Sequence, residues 1–119
     1  MNEEVDDPLK GDDNWREDRP TIHELTLITY HSTKKLRVIE RAQEKWREIG
    51  TLLEVPGLMS IELRYRGNLK EQCHEVLHVW LERGSTKYDT TWQGLLRVLV
   101  DVELNVLAKD LSVALRDQK

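Results

Sequence analysis

Large apolar residues recur every three or four positions through most of this chain, and the recurrence resets at turn-forming residues, so the pattern divides itself into helices. Thr21-Ile22-His23-Glu24 has the form of a capping box, in which the Thr21 hydroxyl takes the Glu24 amide and the Glu24 carboxylate reaches back; it predicts a short helix through Leu25 and Ile28. The period resets at His31-Ser32-Thr33. Leu36, Ile39, Ala42 and Trp46 then share one helical face, and Trp46, Ile49, Leu52 and Leu53 share another. Spacing leaves open whether a break near residues 43–45 separates them. Gly50 inside the second face costs about 1 kcal/mol of helix propensity, which implies that another element packs closely there.

Val55-Pro56-Gly57 ends that helix, because proline disfavours helical geometry in the residue before it. A short helix using Leu58, Ile61 and Tyr65 follows, and Gly67-Asn68 punctuates again with Asn68 as N-cap. Leu69, Cys73, Val76, Leu77 and Trp80 form the next stripe, which Gly84 ends. Asp89 or Thr90 caps a helix with Trp92, Leu95, Leu96 and Leu99 inward, and Leu104, Leu107, Ala108, Leu111 and Leu115 make a last one. No strand alternation survives anywhere. The expected fold is all-α: a six-helix antiparallel bundle after residue 33, with an extra short N-terminal helix. Its expected core is Trp46, Ile49, Leu53, Ile61, Cys73, Val76, Leu77, Trp80, Trp92, Leu95, Leu96 and Leu99.

Charge changes the picture at one end. Residues 1–18 hold eight acids against two bases, include Pro8 and Gly11 and show no apolar period, so they read as a disordered acidic leader. Trp15 stands out within it, either as a short docking motif or as a residue lightly packed on the domain or exposed. Beyond residue 18 the chain has 16 bases and 14 acids, without the basic excess that a nucleic-acid binder needs. The expected organisation is leader 1–18, a partly helical extension 19–35, and a single bundle 36–116, which suits 119 residues with 39% apolar content. Cys73 stands alone, so no intrachain disulfide forms. Val76 to Leu81 and Leu95 to Val100 are the most apolar runs, far short of the roughly 20 residues of a membrane span. The reading is a soluble, cytoplasmic protein with no membrane insertion.

One motif argues for an enzyme. His74-Glu75-Val76-Leu77-His78 spells H-E-x-x-H, in which two histidines one turn apart bind zinc and the glutamate activates water, so the alternative function is a small zinc-dependent metalloprotease. Helical geometry opposes it. At about 100° per residue the apolar stripe centres near 30° from Leu69, whereas His74 and His78 fall at roughly 140° and 180°, on the side of Glu71, Glu75 and Glu82. The extended motif would also need Gly at 81 and His at 84, where Leu81 and Gly84 stand; Glu82 shares the helix, and Glu103 follows a helix committed to the core. Cys73 lies on the buried stripe and diverges from His74 by about 100°, so it reads as a core residue, not a nucleophile. No catalytic residue, metal or cofactor is expected.

Read as W-x-x-I-G-x-x-L at Trp46–Leu53, V-L-x-x-W-L at Val76–Leu81 and T-W-x-x-L-L-x-x-L at Thr91–Leu99, the chain resembles the death domain family over about residues 36–116. The resemblance implies a six-helix bundle that catalyses nothing and binds its own kind: other death domain proteins, possible self-association included, in apoptotic or inflammatory signal transduction, as an adaptor. It departs from the family's habit around the third helix, where Val55-Pro56-Gly57-Leu58-Met59 precedes Ser60-Ile61, and Arg64 and Arg66 follow. Partner-binding candidates under this reading are Arg64, Arg66 and Lys70 at the junction of the third and fourth helices, and Glu44, Glu48, Asp101 and Glu103 near the second helix and the fifth-to-sixth connection. Head-to-tail contact between such patches leaves an open end, so oligomers can grow beyond a dimer.

Overall fold

Thr21 opens the first helix as its side chain dictates: its Oγ1 accepts the Glu24 amide at 3.1 Å while its own amide donates to Glu24 Oε1 at 3.0 Å. In the computed structural model, which describes residues 14–117, this helix is α1, Ile22–Thr26. It stops before Ile28. Instead of continuing, the chain forms a small antiparallel hairpin, β1 (Ile28–Tyr30) and β2 (Lys34–Leu36), with Ile28 opposite Leu36 and Tyr30 opposite Lys34. The fold is the expected all-α bundle with this one small hairpin added, so what is corrected is the end of the first helix and the reading that no strand occurs. Three-residue strands are too short to show alternation, and the turn works because His31 and Ser32 adopt left-handed conformations, φ 51° and 65°. Ile28 and Leu36 are buried where the hairpin lies on the last helix.

Among the described residues six α-helices follow: α2 (Val38–Ala42), α3 (Trp46–Leu52), α4 (Leu58–Arg64), α5 (Leu69–Arg83), α6 (Trp92–Asp101) and α7 (Asn105–Asp117). The open question at residues 43–45 resolves as a 3-10 turn, Gln43–Lys45, between α2 and α3. Helix α5 is central and packs against α1, α2, α3 and α4, while α6 lies on α7 and α3. Each position named above as core is buried, from Trp46 through Leu99. Trp80 is fully enclosed, and its indole Nε1 donates to the Tyr88 carbonyl at 3.5 Å.

Gly50 has the close neighbour its cost implies. A Cβ there would lie 2.6 Å from Leu58 Cδ2 and 3.3 Å from Val76 Cγ2, so α4 and α5 both approach the backbone of α3. Glu54 ends α3 in the left-handed region at φ 62°, and the Val55 amide donates back to the Gly50 carbonyl at 2.9 Å. Its carboxylate accepts the Thr86 amide at 2.8 Å and the Thr86 hydroxyl at 2.6 Å, tying the α5–α6 loop down; the Thr86 amide holds the Glu54 carboxyl below its ordinary range.

Three further expectations are corrected. Helix α6 is capped by Thr91, whose Oγ1 accepts the Gly94 amide at 3.1 Å, not by Asp89 or Thr90. The reason is Gly94: a Cβ there would meet the Asp89 carbonyl oxygen at 1.8 Å, so the turn folds over the helix start and leaves Thr91 in the cap position. Leu69, read as part of the inward stripe, is 38% exposed because it is the first residue of α5 and projects beyond the packed turns. The disordered leader does not run to residue 18. Asn14–Glu17 is a 3-10 turn in which Trp15 is buried in the core cluster, and Arg16, 7% exposed, donates to Gln93 Oε1 at 3.0 Å and Ser112 Oγ at 3.3 Å. The Arg16 guanidinium stacks 4.6 Å over the Trp15 ring, and the Asp18 carbonyl accepts the Trp92 amide at 2.9 Å. Trp15 is therefore neither a free docking motif nor lightly packed. The remainder of the leader, residues 1–13, lies outside the described residues.

Candidate interaction surface

The α4–α5 junction is shaped by two features of its sequence. Gly67 adopts φ 76°, turning the chain between the helices, and Asn68 starts α5 by accepting the Glu71 amide at 3.1 Å on its Oδ1. Helix α4 is only seven residues long and has apolar groups on both sides: Ile61 is buried, whereas Met59 and Leu63, one turn apart, are 72% and 56% exposed. With Leu69 they make an apolar ridge in solvent.

The three anticipated cations border this ridge. Arg64 is exposed, faces the Glu75 carboxylate at 3.6 Å and reaches over the Tyr65 ring at 5.7 Å. Arg66 and Lys70 are exposed and form no ion pair among the described residues. Between α3, α4 and α5 lies a groove of about 420 Å³, with Leu63, Leu69, Arg66 and Gln72 in its lining and the Arg47–Glu62 ion pair beside them. Gln72 is 3% exposed; its Nε2 donates to the Tyr65 carbonyl at 3.0 Å and the Glu62 carbonyl at 3.4 Å, while its Oε1 has no donor among the described residues. Those two carbonyls fix the amide's orientation, since turning it over would set oxygen against oxygen. An unfulfilled acceptor of this kind costs about 1–3 kcal/mol until something donates to it.

The anticipated acids are distributed less simply. Glu48, Asp101 and Glu103 line one concavity of about 530 Å³ between α3 and the α6–α7 corner, but Lys45 and Arg47 line it too. Lys45 faces Glu48 at 3.6 Å, and Asp101 accepts the Tyr88 hydroxyl at 2.6 Å, so the concavity is of mixed sign. Glu103 is carried out to its rim by a left-handed residue conformation, φ 68°. Glu44 is exposed but not part of that lining. Arg47 lines both grooves, so they are neighbours across α3 and not opposite faces.

The H-E-x-x-H residues stand on the outer side of α5. The His74 and His78 rings are 6.4 Å apart and nearly parallel, His78 faces Glu82 at 3.6 Å, and Glu75 faces Arg64 at 3.6 Å. No group of three or more His, Cys, Asp or Glu among the described residues could hold a metal ion. Cys73 is buried, and desolvation pushes its thiol up to about 12, which keeps it protonated.

Sequence reasoning missed Met59, Leu63, Arg47, Glu62 and Gln72. The two apolar residues had a signal, because Met59 and Leu63 lie out of phase with Leu58 and Ile61. Gln72 had a weak one, standing three residues after Leu69 and four before Val76 at the flank of the stripe, and the end of α4 folding over it makes it interior. The decisive observation is then the span of the pattern. The family model of the Death domain matches residues 34–115. The chain belongs to the death domain family. That match takes in all six helices of the bundle, reaching Leu115 in α7, and excludes α1 and the turn at Asn14–Glu17. No curated protein and no solved structure matches the chain. Death domains are interaction modules and not enzymes, and among the described residues no helix is long and apolar enough to cross a membrane.

Proposed function

We propose that this death domain assembles homotypically, with other death domains and with its own copies, through the α4–α5 surface. The observation that carries the reading is the ridge of Met59, Leu63 and Leu69 beside Arg66 and Lys70, two cations without ion-pair partners among the described residues. An apolar centre with a charged rim is the anatomy of a protein interface: the ridge supplies affinity, and the charges choose the partner and speed encounter. The acidic members of the α3/α6–α7 concavity, Glu48, Asp101 and Glu103, with Glu44 nearby in sequence, are the counterpart on an incoming domain. Because the two surfaces differ, contact is head-to-tail and leaves a free surface at each end, which suits clustering of attached effectors. The setting we infer is cytoplasmic apoptotic or inflammatory signalling, with the chain acting as an adaptor.

The test is sedimentation velocity and capture by immobilised wild-type domain, comparing wild type with an Arg64→Glu, Arg66→Glu double variant. Assembly should fall about tenfold or more if two rim contacts become repulsive. Unchanged capture and unchanged sedimentation would place assembly on another face.

A further inference from the structure

The groove at the α4–α5 junction has a floor but no cover. Gln72 Oε1 is buried without a donor among the described residues, Leu63 and Leu69 present apolar surface around it, Arg66 lines the groove, and Lys70 follows Leu69 on α5; neither cation forms an ion pair among the described residues. A matching occupant brings a backbone N–H for the amide oxygen, aliphatic side chains for the leucines and carboxylates for the two cations. Those requirements describe an extended acidic segment with interspersed aliphatic residues.

The chain contains such a segment. Residues 1–13 include Glu3-Glu4-Val5-Asp6-Asp7-Pro8-Leu9 and hold six carboxylates against one lysine. Fully extended, the chain carries Leu9 up to about 17 Å and Val5 up to about 30 Å from Asn14. We propose that residues 1–13 dock in cis over this groove, laying Val5 and Leu9 against Leu63 and Leu69 and setting their carboxylates beside Arg66 and Lys70. The proposal rests on the assembly reading above, because it puts an intramolecular competitor on the same surface: the domain is held back until a partner or high salt displaces its own leader. A short tether supplies an effective concentration on the order of 1 mM, so a segment that binds with a Kd of about 0.1 mM weakens any competing ligand about tenfold.

The test uses the full chain, dilute enough to be monomeric. Wild type is compared with a Glu3→Gln, Glu4→Gln, Asp6→Asn, Asp7→Asn variant in 1H–15N spectra, reading the Gln72 side-chain amide and the Leu69 and Lys70 backbone amides. These signals should differ between the two chains and stay fixed on dilution. A synthetic peptide of residues 1–13 should bind the neutralised chain about tenfold more tightly than wild type. Arg66→Glu with Lys70→Glu in the otherwise native chain should reproduce the undocked shifts of the neighbouring unmutated amides. Identical groove signals in wild type and the neutralised chain would overturn the proposal. Signals that move with concentration would also overturn it, by putting a second copy in the groove. Assembly that needs Arg64 and Arg66 while the groove ignores the leader would sink the docking and leave the assembly reading standing; docking without any assembly would do the reverse.

Discussion

The turn at Asn14–Glu17 and helix α4 invert what their places in the chain suggest. The turn lies outside the residues that match the family, in a stretch whose composition reads as disordered, yet Trp15 and Arg16 are buried against α6 and α7. Helix α4 lies inside the matched span, yet Met59 and Leu63 face solvent. The difference separates two jobs. Helix α4 packs on α3 and α5 and buries Ile61 there, so apolar residues on its other side are surface held ready by the bundle. The turn is part of the core that holds it, and its single indole does so because one Trp brings more apolar area than the acidic residues around it oppose.

The largest expected effect lies at the start of α6, the helix against which the Asn14–Glu17 turn packs. Gly94→Ala would drive a Cβ into the Asp89 carbonyl oxygen, a backbone atom that cannot rotate away, and should cost at least about 4 kcal/mol in urea unfolding. A well-folded Gly94→Ala chain would mean that the Asp89–Thr91 turn has another conformation. Trp15→Ala should cost about 3 kcal/mol, the loss expected of a core indole. A change below about 0.5 kcal/mol would reduce the turn to a passive covering and remove the contrast with α4.

A smaller effect has a defined pH window. Burial, with the hydrogen bond to Asp101, pushes the Tyr88 hydroxyl up to about 12. Its folded value therefore exceeds the unfolded one near 10, so the contribution of Tyr88 is complete below about pH 10 and is lost as pH rises towards 12. Chemical unfolding at about pH 8 and pH 11 should show a drop for wild type that is diminished in Tyr88→Phe; equal drops would assign alkaline sensitivity to other groups. The smallest expected effect on stability is on α4. Met59→Ser with Leu63→Ser should alter unfolding by less than about 0.5 kcal/mol while reducing self-association, and a loss comparable with Trp15→Ala would make the ridge part of the core after all.

Legibility in the sequence followed the range of the physics involved. The capping box at Thr21, the Asn68 cap, the Gly84 stop and the inward set on α5 and α6 depend on residues a few positions apart, and periodicity expresses them directly. Gly50 was readable as a cost demanding a neighbour, though not which neighbour. The hairpin at Ile28–Leu36 was not legible, because two three-residue strands leave too few positions for an alternation. Thr91 displaced Asp89 and Thr90 as cap through the contact of Gly94 with a carbonyl five residues earlier. On the candidate surface, the cations Arg64, Arg66 and Lys70 were visible as a cluster; the groove that Arg66 lines with Leu63, Leu69 and Gln72 was not.

The helical periods, their order, the core tryptophans and the family are written in spacings that one helix can satisfy alone, which is why they can be read along the chain. Fixing Trp80 inward also fixed His74 and His78 outward. Packing between distant elements is what places Trp15 and Arg16 in the core, leaves Leu69 out of it, and buries Gln72 with an acceptor that has no donor among the described residues. Those outcomes depend on which distant surfaces compete for the same space, as Arg16 meets Gln93 and Ser112 and the end of α4 closes over Gln72. Burial of that kind is a property of the assembled bundle, and no local pattern fixes it.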